Sequence, residues 1–233
     1  MLKLGETGVS ALYLGDAKVK KAYLGSELVF EEKKPSRLPA GYTEVEYIQA
    51  ATGTSGFVIN TGIRANTVFS AKFSVTQWPT TTTKKYLFYN MYSTDQRYLA
   101  VDKTNIYAYW SSNTSNMKTI AHTTTVPFEI NISVDGKRTS TSLDVNGTKG
   151  YANGSQNGKS NLYLGGNSST GASSLVGMRI HYVKLLSETN TTADYNAELI
   201  PCITPLGVAG LYDLRNKKSY VPNTGSFTLG PAV

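Results

Sequence analysis

Hydrophobic and polar residues alternate with a period of two along several segments after residue 40. In residues 128–134, Phe, Ile, Ile and Val alternate with Glu, Asn and Ser, and residues 69–75 alternate Phe, Ala, Phe and Val with Ser, Lys and Ser. Successive side chains of a β-strand point to opposite faces of its sheet. Each pattern therefore predicts a strand with one buried face and one solvated face.

Turn signals and further short strands follow the same scheme. Asp135-Gly136 and Asn146-Gly147 are pairs of the kind that closes two-residue hairpins, and they bracket a predicted strand at about residues 139–145. Residues 187–199 are the only candidate for a short helix, which their Thr and Asn content disfavours. Other strands are predicted near residues 57–61, 86–91, 97–102, 105–110, 162–165, 177–186, 208–213 and 226–229. Many short strands separated by turns are typical of an antiparallel sandwich or barrel.

The first thirty residues contain a ten-residue repeat. Tyr-Leu-Gly at residues 13–15 recurs at residues 23–25, and Val19 recurs as Val29. The pairs Gly15-Asp16 and Gly25-Ser26 are predicted hairpin turns. They give a small β-meander with strands at about residues 9–14, 17–24 and 27–32.

So small a meander has little core and is marginal by itself. We therefore interpret residues 1–32 as a docking module that packs against the next domain or a partner chain. An ordinary hairpin extension of the main sheet is the alternative. Residues 33–39 are charged, contain two prolines and lack periodicity, as expected of a linker. Residues 40–233 then form the main domain.

Short polar side chains dominate the composition. The 233 residues include 28 Thr, 22 Ser and 16 Asn. These residues compete with helical backbone hydrogen bonds and favour strands, turns and caps, so a mostly helical protein is not expected. The 25 aromatic residues, 16 of them Tyr, supply ample apolar surface to bury, which disfavours global disorder.

The positive charge is spread along the chain. Lys and Arg number 23 against 16 Asp and Glu, a net charge of +7, but no basic run is longer than two residues. Nucleic-acid-binding proteins cluster their basic residues, so no nucleic-acid partner is expected. No apolar run approaches the length of a membrane span, and no secretory signal is visible. Cys202 is the single cysteine, which excludes an intramolecular disulfide, and we interpret it as a small buried residue.

Segments at both ends of the main domain resemble a known family. The sequence LPAGYTEVEYI at residues 38–48, followed by GFVINTG at 56–62, resembles the opening of laminin-G/concanavalin A-like jelly-roll domains of phage and Gram-positive bacterial proteins. IPC at residues 200–202, GLYDL at 210–214 and NTGSFTLGP at 223–231 are similar to the end of those domains. The Tyr-Leu-Gly repeat resembles a short module at the start of phage virion proteins.

The resemblance covers about residues 38–233. It implies an all-β fold, a jelly-roll sandwich of two antiparallel sheets of the concanavalin A-like lectin type, preceded by the small N-terminal β-meander. That fold hosts sugar hydrolases, lectins and structural domains, so function has to be argued from a site.

No catalytic constellation is evident in the sequence. Glycoside hydrolases need two carboxylates flanking the scissile bond, and relatives with this fold place them at alternate positions of one strand. The nearest approach, Glu44-Val45-Glu46, falls in the opening segment of the domain. A Ser-His-Asp triad with His122 or His181 is formally possible, but no Gly-x-Ser-x-Gly elbow accompanies either histidine. We therefore expect no enzymatic activity.

Calcium is the one metal that the resemblance suggests as a ligand of this domain. Some relatives hold Ca²⁺ with Asp, Asn and backbone carbonyl oxygens on rim loops. Asp95, Asp102, Asp135 and Asp144 are the available carboxylates, but they form no dense ligand string and Asp135 is better explained as a turn residue. We assign no metal ligand and expect no cofactor.

The best candidate for a glycan-binding surface is the aromatic-rich region 86–118. Its tyrosines interleave with Asn, Asp, Gln and Arg, and such combinations stack on sugar faces and bind their hydroxyl groups. The alternative is that alternate aromatics fill the sandwich core. If the even-numbered residues 106–110 face inward, the odd-numbered tyrosines of that strand face outward. The candidate carbohydrate-binding residues are Tyr92, Arg97, Tyr107 and Tyr109.

These observations together predict a non-enzymatic bacteriophage virion protein of a head fibre, tail or baseplate. Residues 1–32 would anchor it to other virion proteins, and the lectin-like domain would lie on the virion surface and bind host cell-surface polysaccharide. A homo-oligomer, with a trimer as one option, would multiply weak glycan contacts. The alternatives are a structural decoration or adaptor protein without glycan binding, and a bacterial cell-surface lectin, against which the lack of a visible signal peptide counts.

Overall fold

Three short hairpins form the N-terminal part of the chain. The chain divides into two units, residues 1–37 with Val233, and Leu38–Ala232. The computed structural model describes residues 3–4, 7–8, 12–14, 16–19, 21–24, 26–31, 36–59, 67–92, 95–111, 118–122, 125–136, 141–152, 161–167, 174–187 and 196–233. The strands of the first unit are β1 (Lys3–Leu4), β2 (Thr7–Gly8), β3 (Leu12–Leu14), β4 (Ala17–Val19), β5 (Lys21–Leu24) and β6 (Glu27–Glu31). They pair as β1–β2, β3–β4 and β5–β6 in three separate antiparallel sheets.

This arrangement differs in part from the predicted meander. Leu14 pairs with Ala17 and Leu24 with Glu27, so each predicted hairpin turn separates two paired strands. The single middle strand expected at residues 17–24 is wrong, because that segment is divided into β4 and β5, which belong to different sheets. Each repeat contains one turn and the strands on both sides of it. It therefore forms a complete hairpin that does not depend on strands of the next repeat.

Within its described residues, the second unit has seventeen strands in two antiparallel sheets. The first of them are β7 (Thr43–Glu44), β8 (Ile48–Ala50), β9 (Phe57–Ile59), β10 (Thr67–Val75), β11 (Lys85–Tyr92), β12 (Asp95–Val101), β13 (Asn105–Ser111), β14 (Lys118–Ala121) and β15 (Phe128–Gly136). The rest are β16 (Thr141–Val145), β17 (Thr148–Ala152), β18 (Leu162–Leu164), β19 (Met178–Ser187), β20 (Ala197–Ile203), β21 (Ala209–Asp213), β22 (Lys218–Tyr220) and β23 (Phe227–Leu229).

The larger sheet has the strand order β17-β16-β15-β10-β19-β20-β21-β22. Three more strands join it, since β7 pairs with β20 and β8 pairs with both β19 and β23. The smaller sheet has the order β14-β13-β12-β11-β18-β9. The described residues include no helix of the length and apolar character needed to cross a lipid bilayer.

The two sheets pack face to face around one hydrophobic core. Phe69 of β10, in the larger sheet, lies 4.6 Å from Phe88 of β11, in the smaller sheet, and 5.5 Å from Trp110 of β13, measured between ring centroids. The apolar residues of the alternating segments 69–75 and 128–134 supply much of the larger sheet's side of this core. The prediction of an all-β jelly-roll sandwich of two antiparallel sheets is confirmed.

Two local predictions need correction or fall outside the description. Asp135-Gly136 is not a turn, because Asp135 pairs with Ser142 and Gly136 with Thr141 as the ladder between β15 and β16 continues. Asn146-Gly147 is a turn, with positive φ angles of 50° and 80°, as a type I′ hairpin requires. Most of the candidate helix, residues 188–195, lies outside the described residues, and its end belongs to strand β20.

Candidate functional site

The smaller sheet turns one face to the core and carries tyrosines on the other. In β13, Ile106, Ala108 and Trp110 belong to the main core, whereas Tyr109 belongs to a separate aromatic cluster against which Tyr107 packs. This separation follows from the period-two alternation of the strand. The predicted outward direction of Tyr107 and Tyr109 is therefore confirmed.

Four tyrosines lie side by side across four neighbouring strands of this sheet. Tyr163 of β18 pairs with Tyr89 of β11, Tyr89 pairs with Tyr98 of β12, and Tyr98 pairs with Tyr109 of β13. The Tyr89 and Tyr98 rings stack at 6.3 Å and 23°, and the Tyr98 and Tyr109 rings at 5.3 Å and 26°. Cross-strand aromatic pairs of this kind stabilise a sheet as well as shaping its surface.

Tyr86 and Tyr107 form a second row of the same face, two residues along β12 from Tyr98. Tyr86 and Tyr107 both pair with Ala100 of the intervening strand β12. The Tyr86 ring meets the rings of Tyr89 and Tyr98 edge-on, at 5.2 Å and 5.5 Å. We call the whole surface the tyrosine face, and it consists of Tyr86, Tyr89, Tyr98, Tyr107, Tyr109 and Tyr163.

The tyrosine face is closed at its centre and more open at its margin. Tyr89, Tyr98 and Tyr109 are 8%, 5% and 6% exposed. The half-buried residues along one side, which we call the margin, are Lys84, Tyr86, Asn105 and Tyr107. Among the described residues of this face, the margin and Tyr163 are therefore more exposed than the three central rings.

Lys84 places a positive charge against two rings of this face. Its ammonium group donates a hydrogen bond to the Tyr98 hydroxyl at 3.1 Å and lies 4.5 Å from the centre of the Tyr107 ring. A cation over an aromatic ring is attracted by the negative ring face. An ammonium has three N–H groups, and the hydrogen bond from Lys84 to the Tyr98 hydroxyl uses one of them.

Asp102 fixes the other side of Tyr107. Its carboxylate accepts hydrogen bonds from the Tyr107 hydroxyl at 2.7 Å, from the backbone N–H groups of Thr104 and Asn105, both at 2.8 Å, and from the Thr104 hydroxyl at 3.2 Å. Burial by itself raises the pKa of Asp102, but these bonds outweigh it and hold that pKa below its usual value. The same hydrogen bond to Asp102 raises the pKa of Tyr107.

Three further tyrosines of the face, Tyr86, Tyr89 and Tyr98, have pKa values raised above the usual value and stay neutral near pH 7. Burial raises the pKa of Tyr98, and burial together with neighbouring phenols raises the pKa values of Tyr86 and Tyr89. Each of these phenols keeps its proton and remains a possible hydrogen-bond donor. The face therefore combines neutral rings with the Lys84 cation.

The four residues predicted to bind carbohydrate do not all lie on this face. Tyr107 and Tyr109 belong to it, but Arg97 lies on the opposite side of the sheet, 3% exposed, where its guanidinium donates to Asn90 Oδ1 at 3.1 Å. Arg97 alternates with Tyr98 and pairs with Trp110, which turns it toward the core. The expectation that Arg97 shares a surface with the tyrosines is therefore wrong. The side chain of Tyr92 lies outside the described residues.

Two residues of the site lie outside the region 86–118 that the sequence indicated. Lys84 precedes β11, and Tyr163 lies in β18, far along the chain from the other tyrosines. A local signal existed for Tyr163, since Leu162 and Leu164 on both sides of it are buried. Its place beside Tyr89 depends on strand pairing, which local alternation does not encode.

His181 forms a serine–histidine pair on the outer face of the larger sheet. It is the extra residue at a register shift between β10 and β19, and its Nε2 lies 2.9 Å from Ser74 Oγ. Burial lowers the pKa of His181, and nearby Lys72 lowers it further. Ser74 is 3% exposed, so its hydroxyl is closed to an incoming substrate in this conformation. His122, the other histidine, stacks on Trp78 at 3.6 Å.

The described residues contain no group of three His, Cys, Asp or Glu side chains placed to hold a metal ion. Asp102 is occupied by its four donors, and Asp144 accepts the backbone N–H of Gly147 at 2.8 Å. The side chains of Asp95 and Asp135 lie outside the described residues. Cys202 is fully buried, and burial raises the pKa of its thiol to about 11, as suits a packing residue.

Neither a protein-family model nor a curated protein matches the chain in sequence. Similar solved structures include domains LG4-5 of the mouse laminin alpha1 chain, with a TM-score of 0.43, 12% identity and coverage of 73% of this chain and 50% of that chain. The LG1-3 region of the laminin alpha2 chain gives a TM-score of 0.43, 8% identity and coverage of 89% and 57%. A native heptameric SAP-like pentraxin from Limulus polyphemus gives a TM-score of 0.42 and 10% identity, with coverage of 61% of this chain and 76% of that chain. The chain thus spans 50% and 57% of the lengths of the two laminin structures.

Proposed function

We propose that residues 38–232 form a lectin-like domain that binds host-surface glycan at the margin of the tyrosine face, in a bacteriophage virion protein anchored through its N-terminal hairpins. The observation that carries this proposal is the row of four paired tyrosines flanked by Lys84 and by the Asp102–Tyr107 hydrogen bond. The virion setting rests on the sequence resemblance of both parts of the chain.

The margin combines the two kinds of group that sugar recognition needs. Aromatic rings cover the apolar C–H faces of a pyranose, and fixed polar groups bind its hydroxyls. Tyr86 and Tyr107 supply half-buried rings, and Lys84 supplies N–H donors beside them. The side-chain amide of Asn105 donates to the hydroxyls of Thr104, at 2.9 Å, and Tyr107, at 3.3 Å, and so helps to hold the margin in place.

The margin is held in place before any ligand arrives. Tyr107 is bonded through its hydroxyl to Asp102 and lies under the Lys84 ammonium. Side chains that are already ordered lose less conformational entropy on binding, which favours a weak ligand such as a sugar.

We propose binding without hydrolysis. A glycosidase needs a protonated carboxylic acid and a second carboxylate across the bond to be cleaved. Asp102, the carboxylate at the margin, has a lowered pKa and is occupied by four donors, so it is a poor general acid near neutral pH.

The test is binding of the full chain to a glycan array and to cell walls from a panel of Gram-positive bacteria. We expect Tyr107→Ala and Tyr86→Ala each to weaken binding by about tenfold, since truncating an aromatic anchor typically costs ~1–2 kcal/mol. Tyr182→Ala is the matched control, because Tyr182 is 38% exposed on the larger sheet. Equal losses in all three variants, or release of sugar from the walls, would contradict the proposal.

The burial of the central rings favours a second candidate, a structural virion protein without glycan binding. Exposures of 5–8% for Tyr89, Tyr98 and Tyr109 are typical of packed residues, not of an open platform. If the full chain binds no glycan and no cell wall but is retained on virus particles, this second function replaces the first.

A further inference from the structure

The margin of the tyrosine face has hydrogen-bond donors beyond those that hold it together. One of the three N–H groups of the Lys84 ammonium is used by the bond to the Tyr98 hydroxyl. Tyr86 keeps its proton near pH 7, because burial and the neighbouring Tyr98 raise its pKa, so its hydroxyl is a second donor. A ligand that suits this surface is therefore rich in acceptors.

Lys84 carries a positive charge that its described contacts do not cancel. Its ammonium lies 3.1 Å from the Tyr98 hydroxyl, and 5.2 Å and 4.5 Å from the ring centres of Tyr98 and Tyr107. Both phenols have raised pKa values and are neutral near pH 7. An aromatic ring attracts a cation but leaves its net charge in place. Because Lys84 is only half-buried, this charge is available to a ligand.

The turn between β12 and β13 adds a second lysine at this end of the face. Asp102 is 3% exposed, and its two carboxylate oxygens are occupied by the four donors described above. Lys103, the next residue, is exposed. Its backbone N–H donates to the carbonyl of Thr81 at 2.9 Å, which ties this turn to the segment that precedes Lys84. Two lysines thus lie here against one buried aspartate.

We propose that the glycan bound at the margin carries an anionic group, a carboxylate or a phosphate, and that Lys84 binds this group. The inference rests on the proposed function and narrows its class of ligand. A sugar that packs against Tyr86 and Tyr107 meets the Lys84 ammonium at the same margin, and hydrogen bonds to charged groups are stronger than those between neutral groups. The net charge of +7 also attracts an anionic polymer toward the whole chain.

The first experiment alters the ligand. Cell walls that the full chain binds are treated either with carbodiimide and borohydride, which reduces carboxylates to alcohols, or with cold hydrofluoric acid, which cleaves phosphodiesters. We expect one of the two treatments to abolish binding, and the treatment that does so identifies the anionic group. Binding that survives both treatments overturns the inference. If the untreated walls and a glycan array both give no binding, the proposed function fails, and this inference fails with it.

The second experiment alters the protein. Lys84→Gln keeps N–H donors but removes the charge, and we expect it to weaken binding to the untreated walls by about tenfold. Lys84→Arg keeps the charge and should bind within about threefold of the wild type. Lys149→Gln is the matched control, because it changes the net charge equally at an exposed position of the larger sheet and should bind as the wild type does.

Salt dependence separates a charge effect from lost packing. Binding of the wild type should weaken as sodium chloride is raised from about 0.05 M to about 0.5 M, and binding of Lys84→Gln should weaken less. Near-ultraviolet circular dichroism of each variant shows whether the tyrosine packing is retained. If Tyr86→Ala weakens binding but Lys84→Gln binds as the wild type does, the glycan is not held through an anionic group. That result overturns the inference and leaves the proposed function standing.

Discussion

At the scale of single residues, Asp102 determines how Tyr107 is presented. One carboxylate satisfies four donors, and the phenol at the margin of the tyrosine face is among them. Hydrogen bonds to an ionised group are stronger than those between neutral groups. Asp102 therefore ties the turn between β12 and β13 to the side chain that we propose meets the sugar.

We expect Asp102→Asn to lower the free energy of unfolding by about 2 kcal/mol at neutral pH, because it removes charge-assisted hydrogen bonds from a buried group. The folded pKa of Asp102 is lowered. The stabilisation is therefore fully present above the unfolded pKa of about 3.9 and is lost as the pH falls through the folded value. Urea unfolding across a pH series should show the difference between wild type and variant shrinking below about pH 4.

Asp144→Asn is the control for that series, because its carboxylate accepts the N–H of Gly147 in an exposed turn. It should cost less at neutral pH, since a solvated hydrogen bond contributes little. An Asp102→Asn protein as stable as the wild type at pH 7 would show that the four bonds do not contribute as described.

At the scale of elements, the hairpin between β16 and β17 shows what a turn residue contributes. Asn146 has a φ of 50°, and its side chain accepts the N–H of Asn131 at 2.7 Å and donates to the carbonyl of Glu129 at 2.9 Å. Its amide thus ties the turn to strand β15. Positive φ is costly for residues other than Gly, Asn and Asp.

We expect Asn146→Ala to destabilise the domain by about 2 kcal/mol, from backbone strain and from two lost hydrogen bonds. Asn146→Gly removes the same bonds but accepts the positive φ, so it should cost only about half as much. Lys149→Ala, at an exposed position of β17, should change little. Thermal unfolding of the three variants tests this order, and equal midpoints for Ala and Gly would show that strain is not involved.

Local alternation predicted these elements because each strand's pattern depends only on its own residues. It predicted which side chains of β10, β13 and β15 face the core. The same rule, applied to β12, places Arg97 on the same side as the buried Leu99 and Val101. Pairing between strands was not predictable in this way. The tyrosine row depends on the register of four strands, and the error at Asp135-Gly136 arose because the ladder continues two residues further than the turn motif indicated.

At the scale of the whole molecule, the aromatic core joins the two sheets of the sandwich. Phe69 reaches across from the larger sheet and contacts both Phe88 and Trp110 of the smaller sheet. All three are at most 2% exposed. A change at Phe69 therefore affects both layers at once.

We expect Phe69→Ala to lower the free energy of unfolding by about 3–5 kcal/mol, because it leaves a cavity between layers that cannot close fully around it. Urea unfolding followed by tryptophan fluorescence measures this loss. Tyr182→Ala, at a partly exposed position of the larger sheet, should cost far less. Similar losses in the two variants would mean that the layers are not held together through this contact.

The N-terminal and C-terminal ends of the sandwich domain lie next to each other. Strand β8 pairs with β23, and a bridge joins Val45 to Ala232. Because residues near its two ends are paired with each other, the domain can be grafted into a surface loop of an unrelated carrier without stretching the carrier's backbone. The same adjacency suits circular permutation, in which a short peptide joins the old ends and new ones are opened at a hairpin such as Asn146-Gly147.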